Sequence, residues 1–383
     1  MSTASAAALE ERLALRTDAN ARFFAAEAER VARLCLACAE RFAAGGRLIA
    51  AGATPVARSD VRHVAVEFVH PVIVGKRALP ALGLTLEGGP VAGQLALLAE
   101  PGDIVFGFGA EVDIAGVRER GCLTVGFGAA GAEWAFAPPT SDPYVAQELV
   151  ETLYHLVWEL VHVFFDHLPS GLSGGAGAGA SSFLYPFLGP GESDLEAVVA
   201  DVRASVEMKA AEVGALRVQT LTENRDVLLA AAEAFAAGGR VLALGNGGSA
   251  TDAMDAVADL RGGVPPRAAI DLTEDAAILT ALANDIGVEN IFARQVIAHG
   301  RPGDVLLAIS TSGNSGNVIA ALAEARRRGL ATLALVGYDG GRVLGEALAD
   351  HVVVTRSEHI PRIQEAQASA LHVLRELVEL VDG

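Results

Sequence analysis

Ser310-Thr311-Ser312-Gly313-Asn314-Ser315 sits between two periodic stretches. Before it runs Asp304-Val305-Leu306-Leu307-Ala308-Ile309, an apolar run of strand length; after it, Asn317 to Arg328 is Ala-rich with helical spacing. A hydroxyl-rich turn between a buried parallel strand and a helix N-terminus is a place for an anion. The free N–H groups and the helix dipole favour negative charge there, and the hydroxyls add donors. Hydrogen bonds to a charged group are worth roughly 1.5–3 kcal/mol each, so several hydroxyls around one phosphate matter. A second stretch repeats the pattern: Val241-Leu242-Ala243-Leu244 leads into Gly245-Asn246-Gly247-Gly248-Ser249, and a helix is expected from about Ala250 to Leu260. Glycines there allow close backbone approach to a ligand. In a parallel sheet both loops open at the carboxyl edge, where ligands bind. The spacing is not the G-x-G-x-x-G of dinucleotide sites.

Taken with Ala283-Asn284-Asp285, Tyr338-Asp339-Gly340-Gly341 and Arg362-Ile363-Gln364-Glu365, these motifs resemble, in order, the sugar isomerase (SIS) domain. The likeness is greatest to its phosphoheptose isomerase branch and covers roughly residues 192 to 383. The resemblance implies an α/β fold, a five-stranded parallel sheet flanked by helices. It implies conversion of sedoheptulose 7-phosphate to a heptose 7-phosphate aldose, in tetramers with active sites where subunits meet. The expected substrate contacts are Asn246, Gly247, Gly248, Ser249, Asp285, Ser310, Thr311, Ser312, Ser315 and Gln364.

The elements that must position these loops are read from the whole chain. Its 383 residues suggest two or three domains, and half are hydrophobic with few aromatics, which suits helices packed on parallel strands. The net charge of −18 argues against nonspecific binding to nucleic acid or an anionic membrane. Cys35 and Cys38 form a C-x-x-C inside an Ala/Leu-rich helical pattern, which reads as helix packing. No signal-peptide pattern and no membrane-length apolar run is seen, so a cytoplasmic protein is expected.

The sequence also repeats. Glu40-Arg41-Phe42-Ala43-Ala44-Gly45-Gly46-Arg47 recurs as Glu233-Ala234-Phe235-Ala236-Ala237-Gly238-Gly239-Arg240, and Pro101-Gly102-Asp103 recurs as Pro302-Gly303-Asp304. This reads as tandem duplication of one α/β unit, with domains over 1–168 and 192–383 and a Gly/Ala/Ser-rich linker over 169–191. The copies are unequal. Against the serine loop the first copy has Gly107-Phe108-Gly109-Ala110-Glu111-Val112, with no hydroxyl and an acid that would repel phosphate.

Phosphoheptose isomerases carry a His and, four residues on, a Glu on the helix after the first loop. They carry a Gln and, eight residues on, a His on the last helix. The second copy keeps Gln364 and His372 but has Asp255 and Asp259 at the earlier pair; the first copy has His63, Glu67, Gln147 and His155. Complementation is therefore expected: the second copy holds the phosphosugar, and the first supplies acid/base or metal groups. By resemblance, Glu67 is the base, His155 its partner and His372 the runner-up. The metal ligands are then His63, Glu67, Gln147 and His155, a set for which zinc is suited. No nucleotide cofactor is expected. A homodimer would make a pseudo-tetramer of SIS domains. Two other readings fit the motifs: a non-catalytic phosphosugar-binding regulator, or a relative that binds a replication initiator. Another sugar phosphate as substrate is also compatible. His162 and His167 read as surface residues, and Trp134 and Trp158 as packing residues.

Overall fold

The computed structural model describes residues 3–73, 76–165, 167–168 and 194–382. The expected linker falls outside the described residues. Contacts gather the chain into two compact units, residues 18–212 and residues 1–17 with 213–383. These do not follow the 1–168 and 192–383 division, for a physical reason. Two long helices, α1 (Thr3–Ala43) and α6 (Leu195–Glu223), each contribute one end to one unit and the rest to the other.

The N-terminal unit (18–212) holds β1 (Leu48–Gly52), α2 (Pro55–Val69), β2 (Ala81–Leu84), α3 (Val91–Leu98), β3 (Ile104–Phe108), α4 (Ala115–Glu119), β4 (Leu123–Phe127), β5 (Trp134–Phe136) and α5 (Pro143–Phe164). Its sheet order is β2-β1-β3-β4-β5, every pair parallel. The C-terminal unit holds α7 (Arg225–Ala237), β6 (Val241–Leu244), α8 (Gly248–Gly262), β7 (Ala269–Asp271), α9 (Ala276–Ile286), α10 (Ile291–His299), β8 (Val305–Ser310), α11 (Gly316–Arg327), β9 (Ala331–Gly337), α12 (Gly341–Gly345), β10 (His351–Thr355) and α13 (Ile360–Asp382). Its order, β10-β9-β8-β6-β7, is the same topology, again all parallel. Both units are therefore five-stranded parallel sheets flanked by helices, as expected. The strand order reverses between β6 and β8, the switch point at which ligands collect in open α/β sheets.

Central strands read as continuous apolar runs because both sheet faces are covered. In the C-terminal unit Val241, Ala243, Leu307 and Leu335 pack toward α8 and α13, while Leu242, Leu306, Ala308 and Ala334 pack toward α10 and α11. Cys35 and Cys38 are buried in α1, and burial raises both thiols, in keeping with a packing role. Trp158 is fully buried. His162 departs from the surface reading: it is half-buried, its ring nitrogens 2.9 and 3.1 Å from the carbonyl oxygens of Trp158 and Arg77. Among the described residues no helix is long and apolar enough to cross a membrane.

Candidate active site

The two loops of the C-terminal unit flank its switch point. Gly245 packs so tightly under the first turn of α8 that a Cβ there would collide with the Ser249 carbonyl. Gly247 takes φ +57°, a conformation that favours glycine. The Ser249 N–H donates to the Asn246 carbonyl at 3.0 Å and closes the turn. Asn246 and Asn317 then exchange amide hydrogen bonds at 3.0 and 2.9 Å, locking the first loop to the helix that follows the second. Asn317 was not singled out by its sequence context; only the adjacency of β6 and β8 gives it a partner.

In the serine loop, Ser310 Oγ accepts from the Gly313 N–H at 3.2 Å and lies 3.4 Å from Ser315 Oγ. Ser312 Oγ accepts from the Asn314 N–H at 3.2 Å. Ser315 is the N-cap residue of α11, yet its hydroxyl makes no capping bond. The helix thus presents its first N–H groups beside a hydroxyl not spent on them, the arrangement an anion uses. Gly313 has φ +62°, and a Cβ there would strike the Gly340 carbonyl, so the loop leans closely on the turn after β9.

Beside this loop lies an open cavity of about 650 Å³. Ser312 and Asn314 line one wall, Tyr338 and Asp339 after β9 another, and Arg356, Ser357 and Glu358 after β10 the third. Register explains the grouping. Ser310 pairs with Val336, and Gly337 pairs with Thr355, so the three adjacent strands end level and release their loops together. Of the expected substrate contacts, Ser312 lines this cavity. Gln364 is buried on α13, and Asp285 is exposed at the end of α9, where Asn284 Nδ2 donates to it at 2.7 Å.

Deeper in the same unit, α8 and α13 face each other. His372 Nε2 stands 3.2 Å from Asp255 Oδ2 and 3.6 Å from Asp259 Oδ2. Positions i and i+4 of α8 share one face, which brings both carboxylates onto one imidazole. Burial, then the neighbouring Asp255, pushes the Asp259 carboxyl up to about 7, against the pull of His372 and Arg375. An acid poised near neutrality suits proton transfer.

The N-terminal unit has its own cluster at the equivalent place. His63 Nε2 lies 3.2 Å from His155 Nε2 and 3.8 Å from Glu67 Oε1. Glu151, one turn before His155, completes a group of His63, Glu151 and His155 whose donor atoms lie within 4.8 Å of one another. All four side chains are buried. Burial, then the proximity of His155, holds His63 well below the usual histidine range, so its ring is neutral at pH 7. Gln147, expected as a ligand, directs Nε2 to Ser59 Oγ at 3.4 Å, and Glu151, not among the expected ligands, stands with the two histidines. Adjacent ligand nitrogens on a tetrahedral zinc stand about 3.3 Å apart, given Zn–N bonds of about 2.0–2.1 Å. The His63–His155 separation matches, so these residues fit a zinc-type ion.

Comparison with known proteins gives the family of the chain. The SIS domain family model matches residues 210–337. The chain is 43% identical over 189 residues to the phosphoheptose isomerase of Geobacter sp. (strain M21), which spans 48% of this chain and 95% of the relative. It is 40% identical over 204 residues to that of Roseiflexus sp. (strain RS-1), 50% of this chain and 95% of the relative. Over nearly the whole chain the fold resembles the C-terminal domain of glucosamine-fructose-6-phosphate aminotransferase from Francisella tularensis. That match has a TM-score of 0.58 at 12% identity and covers 95% of this chain and 96% of the other. Tagatose-6-phosphate ketose/aldose isomerase from Escherichia coli gives 0.56 at 12% identity, covering 100% and 97%. The chain belongs to the SIS-domain family, in its phosphoheptose isomerase branch.

Proposed function

We propose that this protein is a sugar-phosphate isomerase that interconverts a ketose and an aldose, with sedoheptulose 7-phosphate as its substrate. The observation that carries the reading is the serine loop at the switch point, braced by the Asn246–Asn317 pair. The identity of this half to phosphoheptose isomerases supports the seven-carbon substrate. Serine hydroxyls and the α11 N-terminus hold the phosphate. Binding energy there, remote from the reacting carbons, fixes the orientation of the sugar.

The reaction moves one proton from C1 to C2 and one from O1 to O2 through an enediol. We assign Asp259, poised near pH 7, as the base for the carbon-bound proton. His372, held between two carboxylates, shuttles the hydroxyl proton. This places binding and chemistry in one unit. The alternative, in which Glu67 and His155 carry the protons, is favoured by the buried His63–His155 pair of the N-terminal unit. His63, Glu151 and His155, with Glu67 beside them, would hold a divalent ion, which supplies Lewis-acid polarisation of an oxygen when bound. A homodimer would assemble four such units.

Turnover of sedoheptulose 7-phosphate by the purified protein is the test. Asp259→Asn is expected to lower kcat by about 10²–10⁴, the usual worth of a general base, while Ser312→Ala with Ser315→Ala weakens sugar-phosphate binding. Full activity in Asp259→Asn together with loss in Glu67→Gln would transfer the chemistry to the N-terminal unit. Saturable binding without any turnover would leave a regulator that senses sugar phosphates.

A further inference from the structure

The anion loops have a gap in their chemistry. Gly245–Ser249 and Ser310–Ser315 contain no lysine or arginine, although a phosphomonoester carries up to two negative charges. Hydroxyls and N–H groups donate to it but do not neutralise it. In the cavity that Ser312 and Asn314 share, the cation is Arg356. It follows Thr355, the last residue of β10, and so emerges level with the turn after β9. A guanidinium is planar, permanently charged and matched to two phosphate oxygens at once.

Arg356 has a partner at present, and a weak one. Its Nε lies 3.3 Å from Glu223 Oε2, with both side chains about half exposed (52% and 46%). Exposed pairs of this kind are worth little. Glu223 also ends α6, where the helix dipole disfavours a negative side chain. The next residue, Asn224, is fixed to β10 by two hydrogen bonds with Val354, each 2.9 Å, so Glu223 stays beside Arg356 as a placeholder. Tyr338, across the cavity, holds φ +53°, a conformation uncommon for a residue with a side chain. Strain of that kind gathers at ligand sites.

We propose that Arg356 is the counter-charge for the phosphate of the bound sugar: it exchanges Glu223 for the phosphate and clamps it opposite Ser312 and Asn314. Asp339 and Glu358, on the same cavity, then accept hydroxyls of the sugar. This assignment rests on the sugar-phosphate reading and adds the residue that makes the site select a charged sugar.

Calorimetric titration of the full chain with inorganic phosphate, sedoheptulose 7-phosphate and unphosphorylated sedoheptulose tests it. Arg356→Ala should weaken binding of phosphate and of the sugar phosphate roughly ten- to a hundredfold, the range of one charge-assisted contact, and Arg356→Lys should fall between. Glu223→Gln, which removes the competing carboxylate, should tighten both severalfold without touching the ligand. Unchanged affinity in both Arg356→Ala and Glu223→Gln, with loss in Ser312→Ala, would overturn the role of Arg356 while leaving the anion loop in place. A wild-type chain that binds sedoheptulose but neither phosphate ligand would overturn the sugar-phosphate reading, and this assignment with it.

Discussion

Asp259 shows how the setting of a residue, and not its type alone, fixes its chemistry. In sequence it stands where the family has glutamate, so it looks like a retreat by one methylene. In the structure it faces His372 across two helices, and burial raises its carboxyl from the ordinary 3.8 to about 7. The sign of the linkage follows. Between those values the folded chain holds a proton that the unfolded chain releases, so stability from this group is full below about pH 4 and is lost as pH rises toward 7. Asp259→Asn should flatten that part of the stability profile, measured as urea midpoints from pH 4 to 8; an unaltered slope would show the proton is not held there. Glu151 teaches the same lesson for metals. The pairs 63/67 and 151/155 each lie four apart on their helices, but only the packing of α2 against α5 shows that Glu151 meets the histidines. Zinc content by mass spectrometry, with the visible spectrum of a cobalt-substituted chain, should be lost in Glu151→Gln and kept in Gln147→Ala. The reverse pattern would restore the expected ligand set. The serine loop was legible because its chemistry is local; Asn317, Glu151 and Arg356 were not, because their partners arrive from distant strands and helices.

At the level of elements, the repeated tripeptides acquire a mechanical role. Asp304 of Pro-Gly-Asp accepts from Arg240 N at 2.9 Å, Arg240 Nη2 at 2.8 Å and Arg301 N at 3.0 Å. Asp103 repeats the pattern with Arg47 N at 2.8 Å, Arg47 Nη2 at 2.8 Å and Glu100 N at 3.0 Å. Each clamp ties the entry of one central strand to its neighbour, β6 to β8 and β1 to β3. Burial pushes both carboxyls up, but the arginine and backbone hydrogen bonds outweigh it and hold them below the usual carboxylate range. Their contribution is therefore present above about pH 4 and is lost in acid. Asp304→Ala strands two backbone N–H groups and an arginine, so a loss of about 3 kcal/mol is expected by urea denaturation at pH 7. A loss below about 0.5 kcal/mol would mean that water replaces the clamp. The strands themselves were legible as apolar runs: Val241–Leu244 falls where expected, and Val305–Ser310 is displaced by one residue. The break between α6 and α7 at Asn224 was not legible. Its cause is that side chain's pair of bonds to β10, which no local pattern records.

For the whole molecule, the duplication was legible because short motifs recur in order, and both sheets have one strand order. The boundaries of the compact units were harder to read, because a long helix shows its length in sequence and not where its neighbours change. The two units of one topology have diverged at the carboxyl edge. In the N-terminal unit the turn after β3 is occupied by its own backbone: Gly109 N–H donates to Phe127 O at 2.9 Å, and Ala130 N–H to Val112 O at 2.9 Å. Glu111 is exposed on that turn, where its charge opposes an anion. In the C-terminal unit the matching turn presents hydroxyls and the α11 N-terminus. One sugar phosphate per chain is therefore expected, not two, with binding confined to the unit that has the serine loop. Calorimetry with a saturating phosphosugar should return a stoichiometry near one, and Ser312→Ala with Ser315→Ala should weaken that single event. Two events per chain, one of them indifferent to the serine substitutions, would show that the N-terminal edge binds the anion despite Glu111.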